Sequence, residues 1–171
     1  MSVDTGRDWL THLVDTAPGD TWRELLAPFI PPQPRVRSLH LAVFAQPYLG
    51  LILDGTKTIE SRFSVRKVPP YGHVESGDIV LLKATSGPIV GAFRASDVWY
   101  YQLDPGIWGQ IRREYGAAIC APEAFWQSRA AARYATLIGV SEVQRLAPVS
   151  IPKHDRRSWA ILAVHGQSWF L

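Results

Sequence analysis

Gly55-Thr56-Lys57-Thr58-Ile59-Glu60-Ser61-Arg62 is the stretch on which the fold turns. Before it, Tyr48, Leu49, Ile52 and Leu53 are spaced as the buried stripe of a short helix, which Pro47 starts and Gly55 stops. Ile59 to Phe63 reads as a strand, and Glu60 and Arg62, two apart, project to one face of it. Lys57 stands just before the strand, where a turn brings its ammonium beside them. Two cations and a carboxylate converging at a helix end make either a polar site or a surface salt-bridge cluster, and charge pattern alone leaves both open.

Outward from this stretch, strands predominate. Ser38 to Phe44 alternates as a strand ahead of the helix. Downstream, the turn Gly77-Asp78 leads into Ile79–Lys83, and Gly87-Pro88 leads into a strand from Ile89 to about Tyr100. Pro105–Tyr115 and Pro122–Arg133 read as helices. Tyr134–Ile151 holds one or two strands, and Trp159–Val164 closes the chain. Strands joined by tight turns, with helices inserted, predict an α+β domain built on a small, mostly antiparallel barrel. Trp9, Leu10, Leu13 and Val14, then Trp22, Leu25 and Leu26 behind Asp20 as candidate cap, predict two N-terminal helices. Three prolines within residues 31–34 form a stiff connector and mark the internal boundary, dividing an extension at 1–36 from a domain at 37–171. Thirty residues are too few for an independent core, so these helices are expected to dock on the main domain. Two other readings have them cover a partner or a second copy of the chain, or act as a lid over a basic cleft.

The bulk numbers narrow the class. With 171 residues, 47% apolar and 19% charged, the chain suits one globular domain. No apolar run approaches the roughly 20 residues of a membrane span. Met1-Ser2-Val3-Asp4 lacks a signal-peptide pattern, and the expectation is a cytoplasmic protein. The net charge of +3 is unevenly spread: residues 1–36 carry −2 and residues 37–171 carry +5, which favours a polyanionic partner for the second segment. A single cysteine, Cys120, and five scattered histidines give no metal-ligand spacing, so neither a metal nor a cofactor is expected. Cys120, in an apolar stretch, is read as a buried packing residue.

Gly55-x-Lys57-Thr58-x-Glu60-x-Arg62 after an apolar helix resembles the signature of the ASCH domain family. Gly77–Leu82 and Ile89–Phe93 are similar to the family's next two strands, in order. The resemblance spans about residues 37–165. It implies a PUA-like, mostly antiparallel β-barrel with flanking and inserted helices, and a cleft for RNA or single-stranded DNA that can hold a modified nucleoside. The residues suit such a cleft: Lys and Arg bind phosphates, aromatic faces stack on unpaired bases, and a carboxylate accepts from base N–H groups. The candidates are Lys57, Glu60, Arg62, Arg66, Lys67 and Lys83, joined by His154, Arg156 and Arg157 from the densest basic run. Trp99-Tyr100-Tyr101 ranks below them, since strand aromatics are more often core.

Catalysis is the alternative that the resemblance implies, as a metal-independent hydrolase acting on modified nucleosides or on RNA. In the family's amidohydrolases, which deacetylate N4-acetylcytidine, a lysine works with a threonine nucleophile and a glutamate. The lysine carries over to Lys57, but the threonine's position holds Glu60; Thr58 is the nearest hydroxyl, and Glu114 is available as the acid. Glu60 itself is a candidate general base, with Lys57 and Arg62 stabilising developing charge. The oligomeric state is not legible.

Overall fold

The computed structural model describes residues 8–30, 37–151 and 156–164, so the Pro-rich connector and His154 lie outside the described residues. Six strands form one curled sheet: β1 (Leu39–Phe44), β2 (Ile59–Ser64), β3 (Ile79–Ala84), β4 (Ile89–Gln102), β5 (Tyr134–Val149) and β6 (Trp159–Ala163). Their order is β2-β5-β4-β3-β1-β6, and every pairing except the parallel β1–β3 is antiparallel. The predicted barrel is therefore a half-barrel. Its two edges, β2 and β6, do not pair with each other, and a seam stays open between them.

The central strands are apolar along their length because both faces are covered. Leu39 and Leu41 of β1 and Ile79 and Leu81 of β3 face one core, while Ala42, Phe44, Val80 and Leu82 face the other. Helices α1 (Asp8–Thr16) and α2 (Gly19–Leu26), with a 3-10 turn at Ala27–Phe29, bury Trp9, Leu10, Leu13, Val14, Trp22, Leu26 and Phe29 in the first core. α2 begins at Gly19 after Pro18, so Asp20 sits in its first turn and is not its cap.

Helix α3 (Tyr48–Leu53) belongs to the second core. Helices α4 (Pro105–Ile119) and α5 (Glu123–Ser128) cover the outer end of the sheet, where Ile111, Ile119 and Trp126 meet Ala135 and Leu137 of β5. Asp104 caps α4 by accepting from the Ile107 amide at 2.8 Å, ahead of Pro105. α4 runs four residues beyond the predicted Tyr115 and ends at Cys120, which takes a left-handed φ of 58° and stays partly exposed. α5 stops at Ser128, five residues short of Arg133, and the segment 134–149 is one strand.

Tyr101 of β4 packs in the third core near Tyr115, and burial first, then that neighbour, push its hydroxyl up to about 12 from an ordinary 10.0. The folded value lies above the unfolded one, so this tyrosine favours the folded state fully below pH 10. Its contribution is lost as pH rises from 10 toward 12. Urea-unfolding midpoints across that range are expected to fall for the parent and less steeply for Tyr101→Phe. An equal fall in both would refute the assignment.

Candidate functional site

The turn after α3 builds the site. Gly55 takes φ 83°, which suits glycine, Asp54 accepts from the Thr56 amide at 2.9 Å, and the Lys57 amide donates to the Leu51 carbonyl at 2.9 Å. Lys57 is thereby turned inward, and the residue is only 2% exposed. Its ammonium donates to the carbonyls of Ile119 at 2.7 Å and Ile59 at 2.8 Å and lies 3.5 Å from Glu60 Oε2. Three partners match its three N–H groups. Burial, the larger influence, draws the Lys57 pKa below its usual range, and Glu60 pulls it back up.

Glu60 is 4% exposed, and its Oε1 accepts from Arg62 Nε at 2.6 Å. Arg62 reaches across the open seam: Nη2 donates to the Val43 carbonyl on β1 at 3.2 Å, and Nη1 to the Ser158 carbonyl ahead of β6 at 3.3 Å. Its guanidinium lies over the rings of Phe44 at 4.8 Å and Trp159 at 5.4 Å. A surface salt-bridge cluster does not describe these residues; the triad is a buried network that spans the two edges of the sheet.

A second polar layer supports it. His40, fully buried, shares a hydrogen bond of 3.0 Å with Asp78 through Nε2, and its Nδ1 lies 3.3 Å from the indole N–H of Trp159. Asp78 also accepts from the amides of Ser38 at 2.8 Å and Glu75 at 2.9 Å. Trp159 can donate only, so His40 Nδ1 accepts and the ring is the neutral tautomer protonated at Nε2. The turn residue Asp78 and His40 thus fix the ring on which Arg62 rests.

At the seam lies a cavity of about 260 Å³. Lys57, Glu60 and Arg62 line it beside Phe44, Tyr48, Phe63 and Phe125, with Ser61, Arg129 and Ser158 also in its wall. Arg129 lies 4.8 Å from the Phe125 ring. The sequence does not single out Ser61, Phe125, Arg129 or Ser158 as site residues; Phe125 beside Trp126 is the only hint it carries. Other candidates fall elsewhere. Arg66 and Lys67 are exposed on the loop after β2, with the Lys67 ammonium 5.6 Å from the Tyr134 ring. Lys83 is buried on β3 and donates to the Ala84 carbonyl at 3.2 Å. Arg156 and Arg157 are exposed and adjoin Ser158 at the cavity wall. Thr58 is exposed and outside the wall, and Glu114 is exposed on α4 and accepts from Gln110 at 3.1 Å. Neither joins Lys57 in the cavity.

No residue of α1 or α2 lines this cavity; both helices pack on the opposite face of β1 and β3, which removes the lid reading. A second, more apolar cavity of about 320 Å³ lies between Leu103, Pro105, Trp108 and Ala132. Among the described residues no helix is long and apolar enough to cross a membrane, and no group of three His, Cys, Asp or Glu is placed to hold a metal ion.

No family model matches the sequence, and a search of the curated proteins finds no match. Solved structures do match. An ASCH protein from Zymomonas mobilis superposes with a TM-score of 0.60 at 13% identity, covering 73% of this chain and 87% of its own. Structures of two point variants of the Zymomonas mobilis protein give TM-scores of 0.61 and 0.60, both at 14% identity, covering 74% of this chain and 89% and 91% of theirs. At this identity the likeness is one of fold.

Proposed function

We propose, on the premise of an ASCH fold, that this chain binds RNA or single-stranded nucleic acid by drawing one nucleoside, plain or modified, into the seam cavity. The observation that carries the reading is the pairing of Glu60 and Arg62 inside a small cavity walled by aromatic rings. The volume lies just below the roughly 300–1,000 Å³ of drug-sized sites, which suits one heterocycle with its sugar. Phe44, Tyr48, Phe63 and Phe125 offer faces for stacking, worth on the order of 1–3 kcal/mol per base. Glu60 retains acceptor capacity beyond its bonds to Lys57 and Arg62. Arg129 in the wall, and exposed Arg156 two residues before the wall residue Ser158, are the cations proposed for the phosphates of a continuing strand.

Roles within the triad separate accordingly. Lys57, with its N–H groups committed, positions Glu60; Glu60 and the rings meet the base. Replacing Arg129 and Arg156 with alanine is expected to weaken binding of labelled oligonucleotides uniformly across sequences. The slope of log affinity against log salt should become shallower by about one for each phosphate no longer neutralised. Glu60→Gln should reorder base preference while changing that slope little. If all these variants bind like the parent, the cavity is not the binding site.

Hydrolysis is the second reading, and the lowered pKa of Lys57 favours it, since a less basic lysine gives up its proton more readily. Against it, Glu60 holds that proton in place and Thr58 lies outside the cavity. Incubation with N4-acetylcytidine and with labelled RNA separates the two: product that disappears in a Lys57→Met variant still folded by near-UV circular dichroism establishes catalysis, and binding without turnover leaves the binding reading.

A further inference from the structure

We infer that the main chain of Ser61, at the unpaired edge of β2, reads the hydrogen-bonding edge of the nucleobase, with guanine as the preferred base. The inference rests on the nucleoside-binding reading above and deepens it.

The register of β2 on β5 sets the geometry. In an antiparallel ladder only alternate residues exchange backbone hydrogen bonds with the partner strand, and those between turn their N–H and C=O outward. The Val140 amide donates to the Thr58 carbonyl at 2.9 Å, and the same register sets Glu60 opposite Ile138 and Arg62 opposite Thr136. Glu60 and Arg62 therefore direct their peptide groups to β5, as Thr58 does its carbonyl, while the Thr58 amide donates to the Ala118 carbonyl of α4 at 3.1 Å. Ile59, Ser61 and Phe63 direct theirs to the seam. The Ile59 carbonyl agrees with this parity, for it meets the Lys57 ammonium on that side. Ser61 and Phe63 line the cavity although Glu60 and Arg62 project from the alternate face, as residues along a free strand edge would.

A free edge of this kind invites either an added strand or a planar ligand. Arg62 decides between them. Its side chain crosses the seam to Val43 and Ser158, so an extended peptide has no continuous path along β2, and the space left suits one ring. Ser61 offers that ring one donor and one acceptor side by side, and the Glu60 carboxylate adds a second acceptor in the same wall. Arg62 commits three of its five N–H groups, to Glu60, Val43 and Ser158, which hold it across the seam and leave the strand edge and the Glu60 carboxylate to set the pattern. One donor and two acceptors call for a base edge with one acceptor and two donors in a row. Among the four common bases guanine has this edge, in O6, N1–H and N2–H2.

The test uses the full chain and the four 5′-nucleoside monophosphates, followed by amide hydrogen exchange and NMR. In the free protein the Ser61 amide should exchange faster than those of Glu60 and Arg62. GMP should bind most tightly and protect the Ser61 amide. Ser61→Pro removes the outward N–H but no ladder bond, a substitution an edge strand accepts, and should bind GMP about ten-fold more weakly. A Ser61 amide as protected as its neighbours in the free chain overturns the inference, and this needs no variant to fold. So does GMP binding that leaves that amide unchanged, undiminished GMP binding in Ser61→Pro, or preference for another base. If no monophosphate binds, the nucleoside reading falls as well; if one binds without engaging Ser61, only the present inference falls.

Discussion

A chain lacking residues 1–36 is expected to lose its cooperative fold. α1, α2 and the following turn place Trp9, Leu10, Leu13, Val14, Trp22, Leu26 and Phe29 against the sheet, each 7% exposed or less. Fully burying a large apolar side chain contributes on the order of 1.5–3 kcal/mol. Seven of them are comparable with the whole net stability of a domain, about 5–15 kcal/mol. Their removal also bares Leu39, Leu41, Ile79, Leu81 and Leu162, one face of the central strands. Near-UV circular dichroism should lose its aromatic signal and urea unfolding its sigmoid. In the full chain Leu13→Ala offers a graded version, at a cost of about 2–5 kcal/mol. A truncated chain that still unfolds cooperatively would show 37–171 to be self-sufficient, and the division at residue 36 would then mark a true domain boundary.

The second large effect concerns Lys57→Met. Methionine keeps most of the volume but leaves the Ile59 and Ile119 carbonyls without their donor and Glu60 with Arg62 alone. Breaking a buried ionic network from one side costs about 3 kcal/mol or more. For a chain of this size that lowers Tm by roughly 6–12 °C. Burial depresses the Lys57 pKa, so the unfolded chain keeps this proton to higher pH than the folded one. Lys57's contribution therefore becomes more favourable as pH rises toward its ordinary 10.5, and the gap between parent and variant should widen over that window. Paired thermal melts at neutral and alkaline pH check both. A variant within 1 °C of the parent at each would remove Lys57 from any structural role.

Much of the architecture is readable along the chain, because local rules govern it. Gly77-Asp78 and Gly87-Pro88 do lie between strands, and the apolar stripe at Tyr48–Leu53 forms the short helix stopped by Gly55. What escapes is decided by residues far apart in sequence. Lys57 looks like a surface cation, yet its ammonium is buried against the carbonyl of Ile119, 62 residues away. Arg129 and Phe125 gain their place in the cavity wall from where α5 sits beside β2, a tertiary fact of which the neighbouring aromatics Phe125 and Trp126 are only a faint local sign. Lys83 goes the other way: on the central strand β3 its register opposite Val43 puts it inside the sheet, so its charge does not reach the cavity. The parallel β1–β3 pair is equally hidden, since β2 intervenes between them in sequence and leaves for the far edge.

The cavity draws its wall from distant parts of the chain, among them Val43–Ala45, Glu60–Phe63 and Ser158. Pairing β2 with β5 and β1 with β6 closes long loops, and such non-local pairings are the slow steps of folding. Until β6 docks beside β1 there is no Ser158 carbonyl for Arg62 to grip and no Trp159 ring for it to rest on. A partly folded chain therefore lacks the cavity. Any ligand of the seam should recognise only the finished molecule, and by mass action should hold it closed.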